Sequence, residues 1–209
     1  MPRPVPTLDV ERQLFAGGAR IVAGIDEVGR GAIAGPVTVG AVAVDASRTT
    51  FPEGLADSKL LTPRRREAMD PLVRSWALAH ATGSATAAEI DRIGIVSALG
   101  LAASRALHAL GTVPDVLIVD GNTPFLVEEP GGPRIIMRVK ADQDCACVAA
   151  ASVIAKVERD AVMTALHASH PHYGWDGNKG YGAAVHTAAI RAHGVTEHHR
   201  TSWNLGLPA

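Results

Sequence analysis

Apolar positions along this chain fall into two rhythms. Short, nearly unbroken apolar runs read as buried strands: "RIVAGID" (20–26), "GPVTVGAVAV" (35–44), "WALAHATGSA" (76–85), "DVLIVD" (115–120) and "RIIMRV" (134–139). Apolar residues at helical spacing predict helices over 8–16, 63–74, 87–110, 144–169 and 183–193. Local punctuation sharpens several bounds. Gly17-Gly18 ends the first helix, Thr62-Pro63 supplies an N-cap and an N1 proline for the second, and Gly94 offers a break in the third. The Pro-rich residues 1–7 read as loose.

The first two strands are close enough for a hairpin, whereas later strands are separated by helices or long loops. That order predicts a mixed sheet with helices on its faces. The last forty or so residues are helical and too short for an independent domain. The 209 residues, 47% of them hydrophobic, suffice for one large domain, or one with a small appendage. Neither repeats nor low-complexity tracts interrupt it.

A net charge of −1 argues against a protein that coats nucleic acid by bulk electrostatics, so any such binding must use a local basic face. Cys145 and Cys147, two positions apart, are poorly placed for a mutual disulfide, and no CxxC pair marks a zinc site. Buried free thiols are expected. "MPRPVPTLDVERQLF" has no signal-peptide core and no apolar run approaches membrane length, so the expectation is a cytoplasmic enzyme or binding protein without a membrane partner.

The chemistry concentrates where two apolar runs stop. Asp26 and Glu27 close the first strand, ahead of Gly29-Arg30-Gly31; Asp120, also followed by glycine, closes another. Neighbouring side chains of a strand point to opposite faces, so the strand is expected to end near Asp26, with Glu27 opening a turn. Ligands of open α/β sheets bind beyond the carboxyl ends of strands. If these two strands are parallel neighbours, their acids share one edge, and Asp142 in "VKADQD" stands ready before the long helix. Each acid alone is equally a solvated turn residue, and Asp142 is equally a helix N-cap. Gathered carboxylates repel one another, however, and an all-oxygen group of this kind suits Mg²⁺ or Mn²⁺.

"AGIDEVGRGAIAGPV", "DSKLLTPRRRE", "IVDGN", "VKAD", "AAASVIAKVERD", "NKGYG" and "HHRTSW" together resemble, in order, the motifs of bacterial type 2 ribonuclease H, over residues 20–203. The resemblance implies an α/β ribonuclease H-like fold: a five-stranded mixed sheet flanked by helices, with a C-terminal helical portion. It divides the chain into a short extension (1–19), a catalytic core (20–170) and a C-terminal helical segment packed on the core (171–209), one domain overall. It implies an endoribonuclease acting on RNA/DNA hybrids and on ribonucleotide-containing duplex DNA, with two divalent cations, Mn²⁺ or Mg²⁺. Nothing calls for more than a monomer.

Carried over by residue, the resemblance makes Asp26, Glu27, Asp120 and Asp142 catalytic and metal-binding, with Asp144 a competitor for the last role. It assigns substrate contact to Gly29, Arg30, Gly31 and Tyr181. Ser58 of the "DSK" motif is also expected to contact substrate; Lys59 beside it and Arg200 are placed for backbone phosphates, as Arg64–Arg66 and Lys179 also could be, although a solvated helix face explains the three arginines well. Two departures stand out: Ala183, where threonine is common after "GYG", and Trp203, where phenylalanine usually ends the motif. His167, His170 and His172 lack partners for a metal cluster, Ser152 and Lys156 read as packing rather than a nucleophilic pair, and His199 is a weak candidate for proton transfer.

Overall fold

A computed structural model describes residues 5–206. Its centre is a five-stranded sheet of order β3-β2-β1-β4-β5, formed by β1 (Ile21–Val28), β2 (Val37–Asp45), β3 (Ala79–Ala85), β4 (Val116–Asp120) and β5 (Arg134–Arg138). The first three strands pair antiparallel, β1 with β2 as the expected hairpin. β4 and β5 add in parallel, with Ile25 opposite Val119.

Helices cover both faces. α1 (Asp9–Ala16), α2 (Pro63–Trp76) and the 24-residue α6 (Ala146–Ser169) pack on one side; α3 (Ala87–Ile93) and α4 (Ile95–Ala109) pack on the other. α6 runs close over the hairpin because the sheet is notched there. A Cβ added to Gly24 would lie 2.3 Å from the Cys147 carbonyl carbon, and one added to Gly40 would lie 2.3 Å from the Ala151 oxygen. Ala149, Ala150 and Ala151 on the helix complete the fit, all fully buried. Small residues on both partners thus set the depth of the helix that follows Asp142.

The helix punctuation is as expected at Thr62, whose hydroxyl accepts from Arg65 N, and at Gly94, which separates α3 from α4 with φ of 77°. Two expectations change. The helix expected over 144–169 is divided: α5 (Ala141–Asp144) precedes it, and Cys145 between them is extended. The cause is Thr7, which pairs with Cys145 as a parallel bridge, its N–H donating to Asp144 O and its carbonyl accepting from Ala146 N, both at 2.9 Å. Thr7 is therefore not loose, and Pro6 before it is buried, whereas Val5 is exposed; residues 1–4 of that expectation lie outside the described residues. Second, β3 begins at Ala79, since α2 continues through Trp76.

The C-terminal segment contains a 3₁₀ turn (Pro171–Tyr173), α7 (Trp175–Asn178) and α8 (Ala184–His193). Tyr173, Trp175 and Ile190 form its own core with Ala34 and Met163. A buried polar chain runs through it. His186 Nδ1–H donates to the Tyr181 carbonyl, so its Nε2 accepts from Trp175 Nε1 at 3.0 Å. His199 Nδ1 accepts from Thr196 N, leaving its Nε2–H to donate to His186 Nε2 at 3.1 Å. Both imidazoles are used as neutral rings, which suits structure rather than proton transfer.

Burial, then the neighbouring His186, lowers the His199 pKa from 6.5 to about 4. The unfolded chain therefore binds more protons between those values, and stability falls as pH drops from 6.5 to about 4. Denaturant melts over this window should show the wild type losing up to ~3 kcal/mol more than H199Q. Parallel profiles for the two proteins would remove this network from the acid response.

Candidate active site

The parallel pairing of β1 and β4 brings two of the expected acids to adjacent positions. Ile25 and Val119 are the last partners, and Asp26 and Asp120 follow them on neighbouring strands. Side-chain alternation aims both toward the α6 face, with Val22 and Ile118. Asp120 Oδ1 accepts from Ala141 N at 2.8 Å, tying the end of β4 to α5, which carries Asp142. Asp26 and Asp142 are each only 3% exposed.

The turn expected at Glu27 is not there. β1 continues through Val28 because β2 remains paired, Glu27 with Val39 and Val28 with Thr38, after the β4 ladder has ended. Glu27 therefore points to the other face, yet lies close enough to Asp26 and Asp120 for their charges to interact. Its Oε1 lies 3.7 Å from Arg30 Nη1. Asp144 stays outside: its carboxylate, about half exposed, takes Arg138 at 2.7 Å, whereas Asp142 Oδ2 lies 3.5 Å from Lys59 Nζ.

Electrostatically the group is overloaded. Burial, followed by Glu27, raises the Asp26 pKa, with Asp120 and Asp142 adding to it. Burial and Asp120 raise Glu27. Burial, Asp120 and Asp57 push Asp142 up to about 6. Lys59 is held protonated by Asp26, Asp57 and Asp142, which together outweigh its own desolvation. Asp57 was legible only as the residue before Ser58. It is buried, caps the short 3₁₀ turn at Lys59 N, and adds a fifth negative charge. Among the described residues, no three His, Cys, Asp or Glu side chains already form a metal cage. The carboxylates are instead engaged by Lys59, by Ala141 N and, for Asp26, by Glu27 N.

The glycine loop is built from beneath. Gly29 has φ of +83°, and a Cβ on it would collide with Arg159 Nε. Arg159, fully buried, donates to Pro36 O, Lys179 O and Ala34 O. Arg200 donates to Gly29 O at 2.7 Å, Arg30 O at 2.8 Å and Gly35 O at 3.1 Å. This corrects the phosphate contact expected of Arg200, whose guanidinium is fully buried and consumed by carbonyls. Trp203 stacks on it at 4.8 Å, as a packing residue should. The need for Arg159 was invisible, since "KVERD" reads as an ordinary helix face.

Gly31 differs from Gly29. It is exposed, its φ is not positive, and an added Cβ would meet nothing within 4 Å. The fold itself makes no demand for glycine there. Gly180 O accepts from Ile33 N and Ala34 N, so the Tyr181 segment lies against this loop, and the Tyr181 ring, 38% exposed, sits 5.5 Å from the Arg159 guanidinium carbon.

Other candidates resolve into structure. Ser58 is buried; its N–H donates to Ser152 Oγ and its carbonyl takes Arg66. Arg66 is thus no phosphate ligand, whereas Arg64 and Arg65 are exposed. Ser152 Oγ donates to Ala149 O, and Lys156 pairs with Asp160, so the two do not form a catalytic pair. Lys179 Nζ donates to Thr164 and to Asp176 O. Of the histidines of "HASHPHYG", His170 lies edge-on to Trp175, His172 stacks on His193, and His167 Nδ1 lies 3.5 Å from Asp176 Oδ1. Ala183 is the N-cap of α8 and makes no side-chain cap, so the absent threonine costs a helix cap. Both cysteines are free and buried, and burial pushes the Cys145 thiol up to about 12.

A mixed five-stranded sheet between helices, with carboxylates ending its two central parallel strands, defines the ribonuclease H-like class. The chain belongs to the ribonuclease HII family, whose sequence profile, Ribonuclease HII, matches residues 23–205. It is therefore a hydrolase of the metal-dependent nuclease type. It is 51% identical to the Ribonuclease HII of Streptomyces griseus, over 97% of this chain and 86% of that one. Ribonuclease HII of Archaeoglobus fulgidus, solved in a complex with PCNA, superimposes with a TM-score of 0.69 at 27% identity, covering 88% of this chain and 95% of that one. Bst-RNase HIII in complex with Mn²⁺ matches in fold, with a TM-score of 0.70 at 23% identity over 90% of this chain and 68% of that one. No helix among the described residues is long and apolar enough to cross a membrane.

A buried charge whose pKa is raised destabilises the folded state at neutral pH. In excess chelator, D26N should melt roughly 2–4 °C above the wild type, the shift expected for about 1 kcal/mol in a chain of this size. With millimolar Mn²⁺ the order should reverse, because only the wild type gains fully from a bound cation. A D26N protein that melts lower in both conditions would contradict the repulsion described for Asp26.

Proposed function

We propose that this chain hydrolyses the RNA strand of RNA/DNA hybrids and incises duplex DNA on the 5′ side of a single embedded ribonucleotide, leaving a 3′-hydroxyl and a 5′-phosphate. The observation that carries this reading is the convergence of Asp26, Glu27, Asp120 and Asp142 beside a loop whose outer glycine, Gly31, has open space over it.

The donor set fits divalent cations. Lys59 and Arg30 offset the carboxylates of Asp26, Glu27 and Asp142, and an all-oxygen site favours Mg²⁺ or Mn²⁺. Asp26, Glu27, Asp120 and Asp142 would hold two of them. Once bound, the cations supply the positive charge that activates water and steadies the phosphate and its leaving oxygen.

The residues then divide the remaining work. Lys59, with its amino group at the cluster's rim, offsets negative charge and is within reach of an incoming phosphate. The exposed Arg64 and Arg65 extend that positive side along the backbone path. Gly29–Gly31 brings bare backbone to the sugar next to the scissile phosphate, where the 2′-hydroxyl distinguishes RNA from DNA. Arg159 and Arg200 hold that loop in shape without touching substrate. Tyr181 offers its ring to the deoxyribose on the far side of the junction. The site is an open edge rather than an enclosed hole, as a duplex requires. A cleft of about 700 Å³ beside Arg66, Asp160 and Lys179 does not include the acids. No step calls for a second copy of the chain or for a membrane.

Cleavage of a duplex with one embedded ribonucleotide should stop in excess chelator and return with Mg²⁺ or Mn²⁺; full activity in chelator would defeat the reading. D142N should lower turnover more than the roughly 10–100-fold typical of residues that only support a metal site, while D144N stays within a fewfold of wild type. Equal losses would show that the ion pair of Asp144 with Arg138 matters as much as Asp142.

Gly31→Ala should fold with unchanged stability yet lose most ribonucleotide-directed cleavage, because its methyl occupies space that the protein leaves open. Tyr181→Ala should impair the single-ribonucleotide substrate more than a uniform hybrid, since only the former always presents a junction. All-DNA duplex should stay intact throughout. Parallel kinetics on the three substrates test this. Normal activity of the Gly31 variant, or equal losses for the Tyr181 variant, would remove those residues from sugar recognition.

A further inference from the structure

The acids are held by more than their own strands. Asp142 sits in α5, one short turn between the Asp120 hydrogen bond at Ala141 and the extended Cys145. What makes Cys145 extended comes from the other end of the chain. Thr7 pairs with it on both sides, and Glu11 of α1 sends Oε1 to Cys147 N at 2.9 Å. The N-cap residue of α6, Cys145, makes no side-chain cap of its own, so Glu11 supplies that cap from another helix. Glu11 is fully buried; its Oε2 makes no hydrogen bond of good geometry, although the Cys147 thiol and Ala146 N–H face the carboxylate. Burying half a carboxylate unsatisfied is costly. The unpaired N–H and dipole at the start of α6 offset that cost in part. Both Thr7 and Glu11 precede residue 23, where the match to the family profile begins.

We propose that Glu11 is a positioning residue of the carboxylate site: by capping α6 across the α5–α6 kink it fixes where Asp142 stands relative to Asp26 and Asp120, and so sets the affinity for divalent cations. This rests on the reading of Asp142 as a cation ligand. Glu11 touches neither substrate nor metal; it acts through the kink. The segment before the first strand is then a working part of the site rather than an appendage.

The test is Mn²⁺ binding to the full chain without substrate, followed by electron paramagnetic resonance of the free ion. E11A should weaken binding roughly tenfold, the scale of outer-shell changes at metal sites. E11Q, which keeps an oxygen for Cys147 N, should stay close to wild type. T86A is the control: it breaks the capping box of α3, on the sheet face opposite α5 and α6, and so lowers stability without moving Mn²⁺ affinity. D142N separates the role of Asp142 from that of Glu11. If D142N leaves Mn²⁺ affinity unchanged, the reading of Asp142 fails. If D142N weakens binding but E11A does not, or if E11A and T86A weaken it alike, the role of Glu11 is overturned. Should E11A not fold, E11D, one methylene shorter and still charged, carries the same comparison with the same opposing results.

Discussion

Repulsion among carboxylates crowded at one end of the sheet is the constraint to which the rest of this structure answers. Two parallel strands end together, and each contributes an acid to the same face; α5 adds a third and the continued β1 a fourth. A chain selected for stability alone would not bury Asp26 among like charges. The surrounding framework is correspondingly stiff. The hairpin keeps β1 straight past its last parallel partner, the notches at Gly24 and Gly40 seat α6 hard against it, and the N-terminal segment pins the kink before α6. Among the described residues, one lysine, Lys59, and one arginine, Arg30, offset the charge directly. The imbalance left over is what a divalent cation would relieve.

The glycine loop shows the same division between support and function. Its inner surface is saturated: Arg159 and Arg200 use their guanidinium forks on five different carbonyls, Ala34, Gly35, Pro36, Gly29 and Arg30, besides Lys179. Its outer surface at Gly31 is bare. Rigid backbone with one open face is what discrimination between sugars that differ by a hydroxyl requires. The proposed recognition of the sugar by backbone would also be independent of base sequence.

Much of this was legible in the sequence, for identifiable reasons. Apolar runs stopped by an acid and a glycine announce strand ends, and two such ends announced a shared edge. Helix caps at Thr62 and Gly94 are local and were readable. The strand bound at Glu27 was not, because the ladders on the two sides of β1 end at different residues, which is a property of the assembled sheet. Arg200 looked like a phosphate ligand because sequence carries charge but not burial. The split before α6 depends on Thr7, and the cap of α6 on a residue 136 positions away; no local pattern contains either. Arg159 was hidden for the same reason, its partners lying in a loop and a turn remote from it in the chain.

The most direct test of the central claim is anomalous diffraction from crystals of this chain grown with Mn²⁺ and a duplex carrying one ribonucleotide. Manganese signal should lie among Asp26, Glu27, Asp120 and Asp142, at the phosphate on the 5′ side of the ribonucleotide, with backbone of Gly29–Gly31 against its 2′-hydroxyl. Manganese bound elsewhere, at Asp144 or the C-terminal histidines, with the four acids still held only by Lys59, Arg30 and backbone amides, would contradict it.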